Sequence, residues 1–325
     1  MQLAPGRGWS RLPIGDRMKA PRVSALVPSY NHRAFVGHAV ESALGQRGVE
    51  HEVVVVDDAS TDGTREILEG LSGEPRLRLE FAERNRGVSA TFNRCLELAQ
   101  GEFVAYLGSD DWWLPGHLAG AVECLEHEGA AMVYGKVRVV DEQDRETDGA
   151  PELFRSVPGD EFFAALMRGG NFVPFISAVM RRDTVRSLGG FDEELVTFQD
   201  YDLWIRIAAR HPVLFRDEVA GAFRWHGANT SAPSRENSAR FRRETVHILE
   251  RALRELPQVE QGGHGAVVRR RLAASYRQLG HRTPTFAERA SCYRNSLRLD
   301  PYQPETVCRY LATRVREALG ARSAP

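Results

Sequence analysis

The chain has 325 residues, long enough for one large α/β domain with a smaller appendage. Its 43 basic and 44 acidic side chains nearly cancel, so no bulk field points to nucleic acid or to an anionic membrane. Hydrophobic content of 42% is that of an ordinary globular protein, and no apolar run approaches the ~20 residues that span a bilayer.

The opening stretch, residues 1–21, is rich in Gly, Pro and Arg without the apolar centre of a signal peptide. It reads as a disordered tail, and the cytoplasm is the default compartment. "VSALVPSYN" then makes a buried strand and a turn at Pro28. In "AFVGHAVESALGQ", Phe35, Val36, Ala39, Val40, Ala43 and Leu44 mark one helical face. "HEVVVVDDAS" is a second buried strand and "TREILEGLS" a helix. "RLRLEFAE" is a third strand, "GVSATFNRCLELAQG" a helix stopped by Gly101, "EFVAYL" a fourth strand and "LAGAVECLEHEG" another helix.

Four alternations of strand and helix predict an α/β fold, a mainly parallel sheet flanked by helices. Polar residues recur just after the strands: Ser29-Tyr30-Asn31, Asp57-Asp58, Asn85 and Asp110-Asp111. Ligands of open α/β sheets bind outside the carboxyl ends of the strands. Residues 22–231 are expected to form this domain and residues 232–325 a helical extension. The extension is Arg-rich, as in "RRETVHILERALRE" and "VVRRRL", and faintly resembles one tetratricopeptide unit near "AERASCYRNSLRLDP". The four cysteines, Cys95, Cys124, Cys292 and Cys308, lack metal-ligand spacing.

Five stretches carry candidate chemistry. "VVVVDDASTDGT" is a strand buried on both faces with two aspartates at its exit. Asp62 reads as a cap of the following helix, whereas Asp57 is placed to accept hydrogen bonds from a base imide or ribose hydroxyls. In "ERNRGVSATFN", Gly87 opens a helix whose N–H groups suit an anion, and Arg84 or Arg86 reaches for a diphosphate or stays solvated. "YLGSDDWW" sets Asp110 and Asp111 beside two tryptophans. A hard divalent cation, Mg²⁺ or Mn²⁺, takes such carboxylates, while a helix cap explains at most one of them. In "GGFDEELVTFQDYDLWIRIA", Asp200 is either a helix-terminal carboxylate or a general base. In "FRWHGANTS", His226 is either structural or one more metal ligand.

In order and spacing these stretches, with "VSALVPSYNH" ahead of them as the opening strand and turn, resemble family 2 glycosyltransferases of the GT-A fold, over roughly Val23 to Ser231. The resemblance implies that Pro28, Tyr30, Asn31 and Asp57 hold the nucleotide, with Arg86 beside the diphosphate. It implies that Asp110 binds the metal, joined by Asp111 and His226, and that Asp200 is the catalytic base. The implied reaction is an inverting transfer from a nucleoside-diphosphate sugar, UDP- or dTDP-linked by preference, to an acceptor hydroxyl. The acceptor class is a polysaccharide, glycolipid or other glycoconjugate, with Mn²⁺ or Mg²⁺ as cofactor. No nucleic acid and no transmembrane segment are implied, and peripheral membrane contact is compatible with it. The Arg-rich helices are expected to position the acceptor or its carrier.

Two positions depart from the family. Its first metal-motif acid is Gly108 here, and the acid beside the base is Gln199. These motivate the alternative of a sugar-nucleotide-binding protein with impaired catalysis. A dinucleotide dehydrogenase lacks its Gly-x-Gly-x-x-Gly turn, since "VPSYNH" follows the first strand.

Overall fold

The computed structural model describes residues 9–11, 20–147, 156–227, 229 and 235–318. Within them the chain divides into two compact units. One runs up to Phe163 and from Asn171 to Gly227, and the other combines Ala164–Gly170 with the chain beyond Gly227.

The first unit is built on a nine-stranded sheet. In chain order its strands are β1 (Trp9–Arg11), β2 (Val23–Ser29), β3 (His51–Asp57), β4 (Leu77–Ala82) and β5 (Phe103–Tyr106). They continue as β6 (Trp112–Trp113), β7 (Met132–Val140), β8 (Val179–Arg181) and β9 (Val213–Arg224). The spatial order is β1-β4-β3-β2-β5-β8-β7-β9-β6. The expected parallel arrangement holds through β4-β3-β2-β5. Beyond it the sheet is mixed: β8 runs antiparallel to β5 and β7, and β6 antiparallel to β9. Residues 9–11, inside the stretch expected as a tail, pair antiparallel with β4. A free sheet edge offers unpaired N–H and C=O groups, and this segment satisfies them. The rest of that stretch up to residue 19, and Ser231, lie outside the described residues.

Every residue of β2 and β3 is buried, the mark of a central strand covered on both faces. Helices α1 (Val36–Leu44), α2 (Thr64–Gly70), α3 (Val88–Leu98) and α4 (His117–Glu128) follow successive strands. Val36, Ala39, Val40 and Ala43 of α1 are fully buried and join the core with Val53, Val55 and Leu68. Further on come α5 (Gly159–Gly169), a 3₁₀ turn (Phe175–Ser177), α6 (Arg182–Ser187) and α7 (Gln199–Ala208).

An aromatic cluster ties α7 to the end of β5. Phe175 stacks on Tyr106 with ring centroids 5.5 Å apart and meets Trp204 at 6.2 Å. Tyr106 and Trp204 are fully buried. Large rigid rings fix the distance between the elements that carry them, so the N-terminal turn of α7 is held in register with the β5 exit.

The second unit is helical: α8 (Arg235–Glu255), α9 (Pro257–Gln261), α10 (Gly265–Arg282), α11 (Phe286–Leu299) and α12 (Pro304–Ala318). Helix α10 packs on α8 and α11, and α11 on α12. Gly280 lets α10 approach α11, since a Cβ there would sit 2.8 Å from the Tyr293 ring. Thr285 caps α11 by accepting the Glu288 N–H and donating its hydroxyl to the Glu288 carboxylate. No helix among the described residues is long and apolar enough to cross a membrane.

Candidate active site

Sheet order decides where the chemistry collects. The chain steps outward from β2 to β3 to β4, then returns to lay β5 on the other side of β2. The exits of β2 and β5 therefore flank a topological switch point, where open α/β sheets form their ligand crevice. His32 leaves β2 and Asp110 leaves β5. The His32 Nε2 lies 3.9 Å from Asp110 Oδ2. From β9 comes His226, whose Nε2 lies 3.0 Å from the same oxygen. One ligand atom from each of His32, Asp110 and His226 falls within 4.8 Å of the others.

The neighbours of this trio orient it. His32 Nδ1 is 2.8 Å from Ser109 Oγ. With Nδ1–H donated to the hydroxyl, the Nε2 lone pair faces the Asp110 side, the arrangement typical of a metal-binding imidazole. His226 stacks on Phe35 with centroids 5.6 Å apart, and the Arg224 guanidinium lies 4.2 Å from the centre of the same ring. Burial opposes ionisation of Asp110. The His226 hydrogen bond and the nearby His32 and His226 outweigh it and hold the carboxyl below its ordinary pKa. A carboxylate between two imidazoles offers one oxygen and two nitrogen donors, a set that can hold a divalent cation.

Asp111, expected in the same metal set, does not join it. Its Oδ1 accepts the Arg224 backbone N–H at 2.7 Å, which latches the end of β9 to the β5 exit. Burial, and then the charge of Asp110, push its pKa well above the usual carboxylate range. Gly108 is explained by the same packing. A Cβ there would lie 2.6 Å from Asp111 Oδ2 and 2.8 Å from Asp110 Oδ1, so the two carboxyl groups occupy the space that a side chain at 108 would need.

The expected nucleotide residues gather at the neighbouring exits. Pro28 lies within β2 opposite Val56, Ser29 pairs with Asp57, and Tyr30 follows with 45% of its surface exposed. Asn31 has left-handed backbone, φ 54°, and its Oδ1 accepts the Thr61 N–H at 2.8 Å. Asp57 is buried, which raises its pKa, and it accepts the Ser60 hydroxyl at 2.5 Å and the Ser60 N–H at 3.0 Å. Asp62 accepts the Thr64 N–H at 3.0 Å from one residue before the N-cap of α2, a position that Gly63 rather than Asp62 occupies.

The helix N-terminus expected to receive an anion differs. Asp58 Oδ2 already takes the Gly87 N–H at 2.9 Å, and its Oδ1 takes the Arg86 N–H at 2.8 Å. The Arg86 side chain is exposed.

Asp200 stands in the first turn of α7 and is buried. Its Oδ1 accepts the Tyr201 N–H at 2.6 Å, and its Oδ2 accepts the Asn171 side-chain amide at 2.7 Å. The Asn171 Oδ1 accepts the Val173 N–H at 3.2 Å, which sets the amide so that Nδ2 faces the carboxylate. Gln199 beside it has a buried Oε1 with no hydrogen-bond partner. Asp202 is spent on Arg206, 2.8 Å away and one turn along the helix.

His32 and Asn171 are the residues that sequence reasoning missed. His32 is the last letter of "VPSYNH", directly after a strand exit, and that position was the available signal.

Residues 24–189 match the model of glycosyl transferase family 2. A teichuronic acid biosynthesis glycosyltransferase, TuaG, of Bacillus subtilis is 38% identical over 115 residues, covering 35% of this chain and 46% of the relative. The succinoglycan biosynthesis protein ExoO of Rhizobium meliloti is 38% identical over 122 residues, 38% of this chain and 35% of the relative. The matches thus span less than half the length of these two relatives. Among solved structures, S. aureus TarS 1–349 in complex with UDP-GlcNAc superposes with a TM-score of 0.64 at 18% identity, covering 92% of each chain. A mannosyltransferase from Pyrobaculum calidifontis in complex with GDP-Man and Mn²⁺ superposes with a TM-score of 0.57 at 19% identity, over 92% of this chain and 87% of the other. The shared fold is GT-A, and the family match takes in the exits of β2, β3, β4 and β5, ending before Asp200 and His226; the chain belongs to glycosyl transferase family 2.

Proposed function

We propose that the crevice at the β2 and β5 exits transfers a sugar from a nucleoside-diphosphate sugar to an acceptor hydroxyl in the building of a polysaccharide or related glycoconjugate. The observation that carries this reading is the convergence of His32, Asp110 and His226 on one point at the switch of the sheet. A bound divalent cation supplies positive charge against the leaving diphosphate. Mn²⁺ is the cation assigned, as in the solved mannosyltransferase complex with GDP-Man and Mn²⁺, with Asp110 as its oxygen ligand.

The chain's own groups do the rest. Tyr30, Asn31 and Asp57 receive the base and ribose, with UDP or dTDP as the assigned nucleotide and Pro28 shaping the strand exit beneath them. Arg86, exposed above the β4 exit, meets the diphosphate. Asp200 takes the acceptor hydroxyl's proton as the oxygen attacks the anomeric carbon, a single displacement that inverts configuration. Its hydrogen bonds from Asn171 and the Tyr201 N–H favour the ionised carboxylate that a base requires. Positioning and electrostatics supply most of the acceleration. The assigned compartment is the cytoplasm.

The test is a thermal-shift screen of UDP-, dTDP- and GDP-sugars with and without Mn²⁺, followed by an assay of nucleotide release. Ligand that binds the native state raises its melting temperature. Asp110→Asn is expected to lose the metal-dependent shift, and Asp200→Asn to keep it while losing turnover. Tight nucleotide-sugar binding with no release by the unaltered protein favours the binding-only alternative that Gly108 and Gln199 raise.

A further inference from the structure

Charge is divided unevenly along a chain that is nearly neutral as a whole. Residues 228–325 hold eighteen arginines and no lysine against nine carboxylates. The second unit is therefore strongly cationic, and the remainder of the chain is anionic.

Helix α12 within it is inside out. A helix packed on a neighbour ordinarily turns its aliphatic side chains inward and its hydroxyls outward. Here Thr306 and Thr313 are buried, while Val307, Leu311 and Val315 are 37%, 57% and 56% exposed. The inward hydroxyls are satisfied locally. Thr306 Oγ1 bonds to Gln303 Oε1 at 3.0 Å, and Thr313 Oγ1 donates to the Arg309 carbonyl at 2.8 Å. Val307, Leu311 and Val315 recur every fourth residue, so they form one continuous stripe. At about 100° per residue the stripe is about 80° wide, with Arg314 about 20° outside one edge, while Arg316 and Arg309 lie about 100° and 120° beyond the other. All three arginines are exposed. Tyr302, just before the helix, is 92% exposed.

Three occupants of this face differ in chemistry. A second copy would set one cationic unit against another, an arrangement that like charges oppose. A soluble polyanion would satisfy the arginines and leave the aliphatic stripe in water. An anionic leaflet meets both demands, because aliphatic groups enter the headgroup–acyl boundary while arginines reach phosphate and tyrosine lies at the interface.

We propose that α12 is an interfacial helix that seats the second unit on a surface of anionic phospholipid. Val307, Leu311 and Val315 are its apolar contact, Tyr302 its interfacial ring and Arg314 the headgroup contact beside the stripe, with the cationic charge of the whole unit drawing it to the surface. This goes beyond the transfer reading and stands or falls apart from it. It would hold the enzyme against the surface where lipid-linked hydroxyl acceptors reside.

The test is co-sedimentation of the full chain with vesicles of phosphatidylglycerol and phosphatidylcholine, beside vesicles of phosphatidylcholine alone. The expected result is binding to the anionic vesicles that weakens with salt. In the double variant Leu311→Glu/Val315→Glu the partition coefficient is expected to fall at least ~tenfold with an unchanged circular dichroism spectrum. Leu311→Trp guards against a variant that fails to fold: it is expected to bind at least as tightly as the unaltered chain, with indole emission shifted to the blue on the vesicles. Four outcomes overturn the proposal. They are no preference for the anionic vesicles, unchanged binding by a folded double variant, no blue shift of the Leu311→Trp emission, or binding to dextran sulfate as tight as to vesicles. A dimer by light scattering that Leu311→Glu dissolves assigns the face to a second copy and overturns it equally.

Discussion

The side-chain amide of Asn171 donates to Oδ2 of Asp200 over 2.7 Å, and its own oxygen is pinned by the Val173 N–H. The amide can give a hydrogen bond to the carboxylate but cannot take the proton that a base collects. It therefore fixes the rotamer of Asp200 and favours its ionised form. A hydrogen bond to a charged group contributes about 1.5–3 kcal/mol. Asn171→Ala is accordingly expected to lower kcat by roughly 10- to 100-fold. The dissociation constant of the donor sugar stays unchanged. Initial rates and calorimetric donor binding measured on the same variant separate these effects. A loss confined to donor binding would place Asn171 on the donor side instead.

His32 and Asp110 meet only because β2 and β5 are neighbours, and the metal reading depends on that meeting. His32→Ala is expected to weaken Mn²⁺ binding at least ~tenfold, because one of three protein ligands is gone. Ser109→Ala, which frees the far side of the ring, should weaken it less. His38 supplies the control. It stacks on Trp112 with centroids 4.8 Å apart and offers nothing to the cluster, so His38→Ala should bind Mn²⁺ normally. Titration followed by the electron paramagnetic resonance of free Mn²⁺ reads all three. Equal affinities for His32→Ala and His38→Ala would sink the assignment.

A sequence discloses what is local and hides what is not. The strands β2, β3 and β5 announce themselves as apolar runs, and Asp57 and Asp110 as acids at their ends, because burial and periodicity are local properties. Partners across the sheet are not local. Nothing near position 32 says that β5 will be laid beside β2, so His32 goes unnoticed as a metal neighbour. Asp111 errs in the opposite direction. Adjacency to Asp110 makes it look like a ligand, yet the N–H of Arg224, 113 residues later, claims its Oδ1. The two-residue β6, Trp112–Trp113, is invisible for a related reason: it exists only as a pairing with Gly221 and Ala222 of β9. Asn171 sits in a loop without pattern, and only the tertiary position of α7 gives its amide a partner.

Gly108 stands where the family carries an acid, and restoring that acid is a tempting repair. The packing argues against it. Any Cβ at 108 meets the Asp110 and Asp111 carboxyl oxygens within 3 Å. Both carboxyl groups are anchored through their other oxygens, since Asp110 Oδ2 is held against His226 and Asp111 Oδ1 carries the Arg224 N–H. Gly108→Asp is therefore expected to lower both the melting temperature and the affinity for Mn²⁺, and Gly108→Ala to do the same more mildly. Overpacking of this kind costs about 1–3 kcal/mol. Differential scanning fluorimetry with and without Mn²⁺ reads both effects. Tighter metal binding by Gly108→Asp would show that the carboxyl groups yield and that the missing acid is a simple deficit.

His117 opens α4 with its ring buried and both ring nitrogens without hydrogen-bond partners. Trp113 lies against it, with centroids 5.3 Å apart. Burial, followed by the nearby Arg216 charge, lowers its pKa to about 3. The unfolded chain binds the proton with a pKa near 6.5. Below that pH the unfolded state is therefore the one favoured by protonation. The stability that neutral His117 preserves is fully present above pH ~6.5 and drains away as pH falls toward the folded-state value. At pH 5 the loss through this one residue amounts to about 2 kcal/mol. Other groups titrate in the same range, so the comparison must be with His117→Leu, which fills similar space and has no proton to take up. Urea denaturation of both proteins at pH 8 and pH 5 gives the difference directly. The stability of His117→Leu relative to the unaltered chain should rise by about 2 kcal/mol on going to the lower pH. A difference between the two proteins that is the same at both pH values would mean that His117 is protonated as readily in the fold as out of it.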